Sequence, residues 1–266
     1  MTFYKYCGAG NDFVLLENFD RAIPEADYSR LAQRLCARKF SVGADGLIVL
    51  EPPTLGGDCK MRFFNNDGST AEMCGNGARC ICRHCFDRGL SGERQRIETP
   101  AGIVTGQRLP DGRYRIRLNT PSVVRLQEVI AGTVSDYLEL GKPGIPHVIV
   151  SADLSEKRAI LREFARSLRH APELPRGANV NLYELTGENA VRLLTFERGV
   201  EDFTLACGTG TGATVAALAL RGVVSGVQTR VECDGGTLFV DIVRDGGTTQ
   251  IFLSGDAVRV YTGTLE

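Results

Sequence analysis

Two cysteines stand in the same short context 133 positions apart: Cys74-Gly75-Asn76-Gly77 and Cys207-Gly208-Thr209-Gly210. Each follows a strand-like stretch and precedes a helical run. Each sulfur is therefore expected at a helix N-terminus, where the first backbone N–H groups have no partner within the helix. Three chemical consequences follow. The positive helix end lowers a thiol pKa from about 8.5 and makes a thiolate base available near neutral pH. Glycines beside the sulfur let a carboxylate come close to backbone N–H donors. If a pseudo-two-fold brings both helix starts to one cleft, a thiolate on one side of a carbon acid can remove its proton while the opposing thiol returns one. Configuration at that carbon inverts, and hydrogen bonds to a carboxylate that strengthen as carbanion charge builds lower the barrier. Neither a metal nor a cofactor enters this scheme. None of the five lysines, at positions 5, 39, 60, 142 and 157, sits in a Schiff-base motif.

The elements that must position the two sulfurs repeat with them. Arg88-Gly89-Leu90 and Arg221-Gly222-Val223 follow the cysteines at the same distance, each reading as a helix end. Ile97-Glu98 with Ala101-Gly102 matches Val231-Glu232 with Gly235-Gly236, and Ile116-Arg117-Leu118 matches Ile251-Phe252-Leu253. Upstream, Leu31-Ala32 and Leu35 correspond to Phe164-Ala165 and Leu168, on segments with helical apolar spacing. Strands are expected at Leu47–Leu50, Met61–Phe64, His147–Val150 and Val191–Leu194. A repeat of this kind speaks to architecture and not to chemistry: its simplest reading is an α+β chain of two pseudo-symmetric α/β halves, each a curved mixed sheet wrapping a central helix, and the active site is expected in the cleft between them. The boundary falls near Asn119-Thr120-Pro121. Residues 1–118 carry Cys74 and residues 119–266 carry Cys207, with the C-terminal tail able to pack back on the first half. The helix at Ala213–Leu220 is apolar all round and so belongs in an interior. The first repeat's helix is two-faced, with Ala78, Ile81, Cys82 and Cys85 on a buried side and Arg79, Arg83 and Asp87 on another.

The bulk composition narrows the function. Lys+Arg of 31 against Asp+Glu of 32 leaves no field to gather nucleic acid or anionic membrane. No apolar run approaches the roughly 20 residues of a spanning helix, and the opening Met1-Thr2-Phe3-Tyr4-Lys5-Tyr6 lacks the order of a secretory signal. A cytoplasmic protein acting on a small molecule is expected. Nine cysteines, an odd number in such a chain, read as reduced thiols. Cys7, Cys36, Cys59 and Cys233 lie in no pattern and read as structural.

Other readings compete for the same residues. Cys80, Cys82 and Cys85, with Cys74 and His84 nearby, suggest a zinc cluster, but Cys82 and Cys85 share the face of Ile81 and need only packing to explain them. Gly208 through Ala213 resembles a dinucleotide fingerprint, with Glu232 downstream. That loop lies late in the chain, however, and its repeat partner lacks the third glycine. No Gly-Lys-Ser/Thr exists for a phosphate loop. His147 before an apolar run reads first as a satisfied core histidine. Glu197-Arg198 reads as a surface ion pair, except that the pair precedes Cys207 at the distance at which Phe64-Asn65 precedes Cys74.

Taken together, Phe64-Asn65-Asn66-Asp67-Gly68-Ser69 leading into Met73-Cys74-Gly75-Asn76-Gly77-Ala78-Arg79-Cys80, Glu197-Arg198-Gly199 leading into Ala206-Cys207-Gly208-Thr209-Gly210, and the opening Gly8-Ala9-Gly10-Asn11-Asp12-Phe13 resemble the diaminopimelate epimerase family from end to end. The resemblance implies conversion of LL- to meso-diaminopimelate in lysine and peptidoglycan precursor synthesis, without pyridoxal, by a two-domain homodimer. It implies that Cys74 and Cys207 are the acid/base pair and that the backbones of Gly75, Asn76, Gly208 and Thr209 hold the reacting carboxylate. It further implies that Asn11, Asn65, Asn179, Glu197 and Arg198 contact substrate, Arg198 pairing the distal carboxylate, and that Glu197 and His147 set the protonation of the thiols. Two positions depart from the family pattern. Ile145-Pro146-His147 stands where well-known members have Asn-Pro-His, and Gly46 stands where some have glutamine. Both concern binding rather than the thiols, and they leave racemisation of a different amino acid as the alternative. A phenazine-pathway isomerase is opposed by retention of both cysteines, and a non-catalytic metal-binding module would tolerate loss of Cys207.

Overall fold

In a computed structural model, which describes residues 1–71 and 73–265, the chain divides into two units. The first comprises Met1–Ile116 and the segment from Gly255 onward; the second is Arg117–Ser254. The first unit contains strands β1 (Thr2–Gly8) and β2 (Asn11–Glu17), helix α1 (Tyr28–Cys36), strands β3 (Gly46–Glu51), β4 (Cys59–Asn65) and β5 (Thr70–Ala71), helix α2 (Gly75–Asp87), and strands β6 (Arg94–Thr99), β7 (Gly102–Arg108) and β8 (Tyr114–Arg117). Strand β2 pairs in parallel with β3 across the α1 crossover, and β4 pairs in parallel with β6 across α2. The remaining neighbours are antiparallel: β1 with β2, β3 with β4, β4 with β5, β6 with β7 and β7 with β8. The C-terminal strand, Val258–Thr264, adds antiparallel to β1 and so completes this sheet.

The second unit repeats the diagram. Its elements are β9 (Pro121–Ile130), β10 (Thr133–Leu140), β11 (Ile145–Ser151), α3 (Arg158–Arg169), β12 (Asn179–Gly187), β13 (Ala190–Glu197), β14 (Asp202–Thr204), α4 (Gly208–Leu220), β15 (Thr229–Cys233), β16 (Gly236–Asp245) and β17 (Thr248–Gly255), after which β18 is the C-terminal strand already described. Here β11 and β12 are parallel across α3, and β13 and β15 are parallel across α4. Strand β9 stands beside β10 as β18 stands beside β1. All four strands expected from the sequence are present, within β3, β4, β11 and β13.

Each sheet is covered on both faces. Leu47 and Val49 of β3 pack with Tyr28, Ala32 and Leu35 of α1, whereas Ile48 faces Gly77 of α2. This explains the unbroken apolar run Leu47–Leu50, because alternation is required only where one face is wet. In the second unit Leu161, Ala165 and Leu168 of α3 cover Val148, Val180, Leu182 and Leu194 in the same way. The central helices lie on the other face. Helix α2 touches β1, β2 and β18 at one end of its sheet and β7 near the other, so the sheet curls round it; α4 touches β9 through β12 and also β16. Helix α4 is buried without interruption from Gly210 to Ala219, as its composition requires. Helix α2 departs from the two-faced pattern. Arg79 is wholly buried instead of lying on the polar face with Arg83 and Asp87, and Cys80 and His84 are buried too, because the curled sheet leaves α2 almost no wet side. Both helices stop at Arg88 and Arg221, followed by Gly89 and Gly222 with φ of 66° and 73°, a left-handed conformation suited to glycine.

Candidate active site

The topology places each repeated cysteine at one structural point. In the first unit β5 and β6 both lie along the same edge of β4, and the chain leaves that edge after β5, forms α2 and returns as β6. In the second, β14 and β15 share an edge of β13, with α4 between them. Cys74 and Cys207 are the N-caps of those helices, both in extended conformation, with φ, ψ of −128°, 117° and −114°, 111°. Each sulfur takes the place of the usual capping oxygen: Gly77 N donates to Cys74 Sγ at 3.5 Å and Gly210 N to Cys207 Sγ at 3.4 Å. The preceding N–H groups, of Gly75 and Asn76 and of Gly208 and Thr209, have no acceptor within their helices and point out of the helix start beside the sulfur. An anion, and above all a carboxylate, is the species such donors suit.

In the first unit two of the predicted amides are held by their own partners. Asn76 Nδ2 donates to Asn11 Oδ1 at 2.5 Å, joining the helix start to the first residue of β2. Asn65 ends β4, and its amide donates to Ser69 Oγ at 2.9 Å within the Asn65–Ser69 turn. Gly46, at the start of β3, is the position that departs from the family pattern. A Cβ there would lie 2.6 Å from the Phe63 ring and 2.8 Å from the Phe64 carbonyl, so Phe63 packs where a side chain at this position would begin.

Around Cys207 the second unit gathers more. Glu197 is the last residue of β13. Its carboxylate accepts from Thr204 Oγ1 at 2.5 Å and from the Cys207 thiol. Burial raises the Glu197 pKa, while both hydrogen bonds oppose that shift. The Cys207 thiol is pushed up to about 12, first by burial and then by the Glu197 charge, with the Thr209 hydroxyl and the Gly210 N–H pulling the other way. The sequence argument expected the helix end to lower this pKa. Desolvation wins because α4 starts inside the unit, and the resting group at Cys207 is a thiol.

His147, Asn179 and Arg198 are positioned by strand pairing. His147 and Asn179 are directly opposed in the parallel β11–β12 ladder. His147 is wholly buried and its pKa falls to about 3, through burial and then the Arg198 charge, so the ring is neutral at ordinary pH. Its Nδ1 accepts from Asn181 Nδ2 at 3.3 Å, which places the ring proton on Nε2. Asn179 Oδ1 accepts from the backbone N of Arg198 at 2.8 Å, and Arg198 Nη1 donates to Arg176 O at 3.1 Å. Ile145, the second departure, begins β11 and offers no amide.

Several residues that shape the site escaped the sequence argument. Asn181 donates to Val148 O at 3.0 Å as well as to His147, and accepts from Thr195 Oγ1 at 3.0 Å. Its signal was present: Asn179-Val180-Asn181-Leu182 alternates, so both amides share one face of the strand and Val180 and Leu182 the other. Gly210 is tied to this trio, since a Cβ there would lie 2.3 Å from Asn181 Oδ1. Thr204 carries no local signal, because its contact with Glu197 is made by antiparallel pairing of β13 with β14. Among the described residues, no three or more His, Cys, Asp or Glu side chains gather as a metal site, and no helix is long and apolar enough to cross a membrane.

The fold recurs in solved proteins of low identity. A PhzF-family phenazine biosynthesis protein from Bacillus anthracis superposes with a TM-score of 0.74 at 19% identity, over 99% of this chain and 98% of that one. A hydroxyproline epimerase from Agrobacterium vitis does so with a TM-score of 0.64 at 16% identity, over 99% and 91%. These define the class of fold, two similar α/β halves each wrapped on a helix. Sequence defines more. The family model for diaminopimelate epimerase matches residues 3–125 and 142–260. Proteins named diaminopimelate epimerase from Aquifex aeolicus (strain VF5) and Archaeoglobus fulgidus are 35% and 36% identical, over 100% of this chain and 98% and 96% of theirs. The chain belongs to the diaminopimelate epimerase family, and is an isomerase.

Proposed function

We propose that the protein converts LL-2,6-diaminopimelate to the meso isomer, with Cys74 and Cys207 as the acid/base pair at the α-carbon. The observation that carries the reading is the repeated cysteine N-cap, in a chain of this family, with N–H donors for a carboxylate beside each sulfur. One sulfur, as thiolate, removes the α-proton; the other, as thiol, returns a proton to the opposite face. Negative charge then builds on the substrate carboxylate, and the N–H groups of Gly75, Asn76, Gly208 and Thr209 stabilise it most at that moment. Glu197 keeps the proton on Cys207, and neutral His147 helps hold the surroundings of the second half-site in one protonation state. Asn11, Asn65 and Asn179 bind the polar groups of the substrate, and Arg198 pairs its distal carboxylate.

The reading extends to lysine and peptidoglycan precursor synthesis in the cytoplasm by a homodimer, supported by the family resemblance alone. Ile145 and Gly46 favour a second reading, racemisation of a different amino acid, because two expected amides are missing from the substrate contacts. One experiment tests both: deuterium incorporation from solvent at the α-carbon of LL-diaminopimelate, comparing the native chain with Cys74→Ala and Cys207→Ala. Incorporation with epimerisation lost in both variants supports the first reading. Absence of incorporation defeats it, and incorporation into another amino acid establishes the second.

A further inference from the structure

Among the described residues Arg79 is the largest wholly buried side chain, and no carboxylate pairs with it in their hydrogen bonds and ion pairs. Its Nη2 donates to Asn76 Oδ1 at 2.9 Å, while Nε and Nη1 make no hydrogen bond. Burying a guanidinium so poorly paired is costly, and burial lowers its pKa accordingly. A purely apolar side chain would fill the same space without that cost, so the donor itself has a use.

The use follows from what lies beyond Asn76. Asn76 Nδ2 donates to Asn11 Oδ1 at 2.5 Å, and Asn11 Nδ2 donates to Asp45 Oδ2 at 3.2 Å. Asp45 is fixed in turn, with Oδ2 accepting from Asp12 N at 3.1 Å and Oδ1 from Arg38 Nη2 at 2.9 Å. The chain therefore runs from a donor-only group, through two amides, to an acceptor-only group. An asparagine amide is nearly the same shape when its oxygen and nitrogen are exchanged, and only its partners decide which way it faces. Arginine can only donate, so Asn76 must turn its oxygen inward and its nitrogen toward Asn11. A carboxylate can only accept, so Asn11 must turn its nitrogen toward Asp45 and its oxygen back toward Asn76. The two ends demand the same orientation of both amides, and each supplies one of the hydrogen bonds that the chain needs to hold it.

We infer that Arg79 is a positioning residue which, together with Asp45 at the opposite end, fixes the orientation of the Asn76 and Asn11 amides before substrate arrives. The inference rests on the proposed roles of the Asn11 amide and of the Asn76 backbone N–H in substrate binding. Polar groups held in place before a charged ligand arrives need no reorganisation when it binds. The backbone supports the same arrangement. Strand β1 ends at Gly8 against the first turn of α2, where an added Cβ would lie 3.1 Å from Asn76 O and 3.2 Å from Cys80 Sγ.

The test uses Arg79→Met, Arg79→Lys, Asp45→Asn and the double variant Arg79→Met/Asp45→Asn. Arg79→Met and Asp45→Asn should each raise KM about tenfold with kcat changed about twofold or less, the scale of one lost charge-assisted hydrogen bond. The double variant should be no worse than either single change, because both break one chain, and Arg79→Lys should recover most of the affinity. An unchanged KM in Arg79→Met, additive losses in the double variant, or a lysine no better than methionine would overturn the inference. A second measurement needs no substrate. Hydrogen exchange of the Asn11 and Asn76 side-chain NH2 groups, followed by NMR, should quicken about tenfold in Asp45→Asn, a variant at the partly exposed end of the chain. Unchanged exchange there overturns the inference even if Arg79→Met fails to fold. A native chain inert toward diaminopimelate would defeat the functional reading and leave this second measurement to decide the amide network.

Discussion

Glu197 and Cys207 hold a proton between them, and it belongs to sulfur. The thiol donates to the carboxylate, and the carboxylate charge is the largest influence after burial in raising the thiol pKa. Removing that charge should therefore lower it. In Glu197→Gln the pH at which Cys207 is alkylated by iodoacetamide, followed on the Cys207 peptide by mass spectrometry, should move down from its native position near 12, while burial keeps it above the ordinary thiol value of about 8.5. A midpoint that stays in place or moves up would mean that the carboxylate does not control the sulfur.

His147 makes the fold acid-sensitive. Its folded pKa lies near 3 against 6.5 for the ordinary side chain, so the unfolded chain takes up a proton below about 6.5 that the native chain refuses until about 3. The stabilisation is complete above 6.5 and is lost progressively as pH falls from 6.5 toward 3. His147→Gln should flatten that fall, measured as the urea midpoint at pH 7, 5 and 4. Some slope will remain, because burial also lowers the pKa of His84.

Two glycines of matching helices should respond differently to alanine. At Gly210 a methyl would meet Asn181 Oδ1 at 2.3 Å and Thr195 Oγ1 at 3.1 Å, both fully buried and mutually hydrogen-bonded, so Gly210→Ala should cost about 1–3 kcal/mol in urea unfolding. At Gly75 the nearest atom is Ile116 Cδ1 at an ordinary 3.5 Å, and Gly75→Ala should leave stability within about 0.5 kcal/mol. On the proposed carboxylate-binding role, Gly75→Ala should nevertheless raise KM. Unchanged affinity would remove Gly75 from the binding residues.

A glutamine at Gly46, the residue that the resemblance gives for some family members, should not add a substrate contact. The new Cβ would lie 2.8 Å from the Phe64 carbonyl, which is backbone of the paired strand and cannot rotate away. Gly46→Gln is expected to lose about 1–3 kcal/mol of stability without a lower KM. A stable variant with tighter substrate binding would show that the strand yields.

Much of this molecule is written in local pattern. The duplication, the strands around Leu47, Met61, His147 and Val191, the helix ends at Gly89 and Gly222, and the N-capping cysteines all follow from spacing along the chain, because strand alternation, helix periodicity and capping act over a few residues. What the sequence did not determine is set by contacts between distant segments. Arg79 looks like a surface residue until β1, β2, β7 and β18 close round α2 and bury it. The helix-end argument for a low thiol pKa holds for a solvated helix and fails at Cys207, where desolvation and the Glu197 charge, brought to the sulfur by the fold, outweigh it. The amide chain from Arg79 to Asp45 draws on three separate parts of the sequence. Burial and charge pairing depend on distance through space, and only the tertiary fold sets those distances.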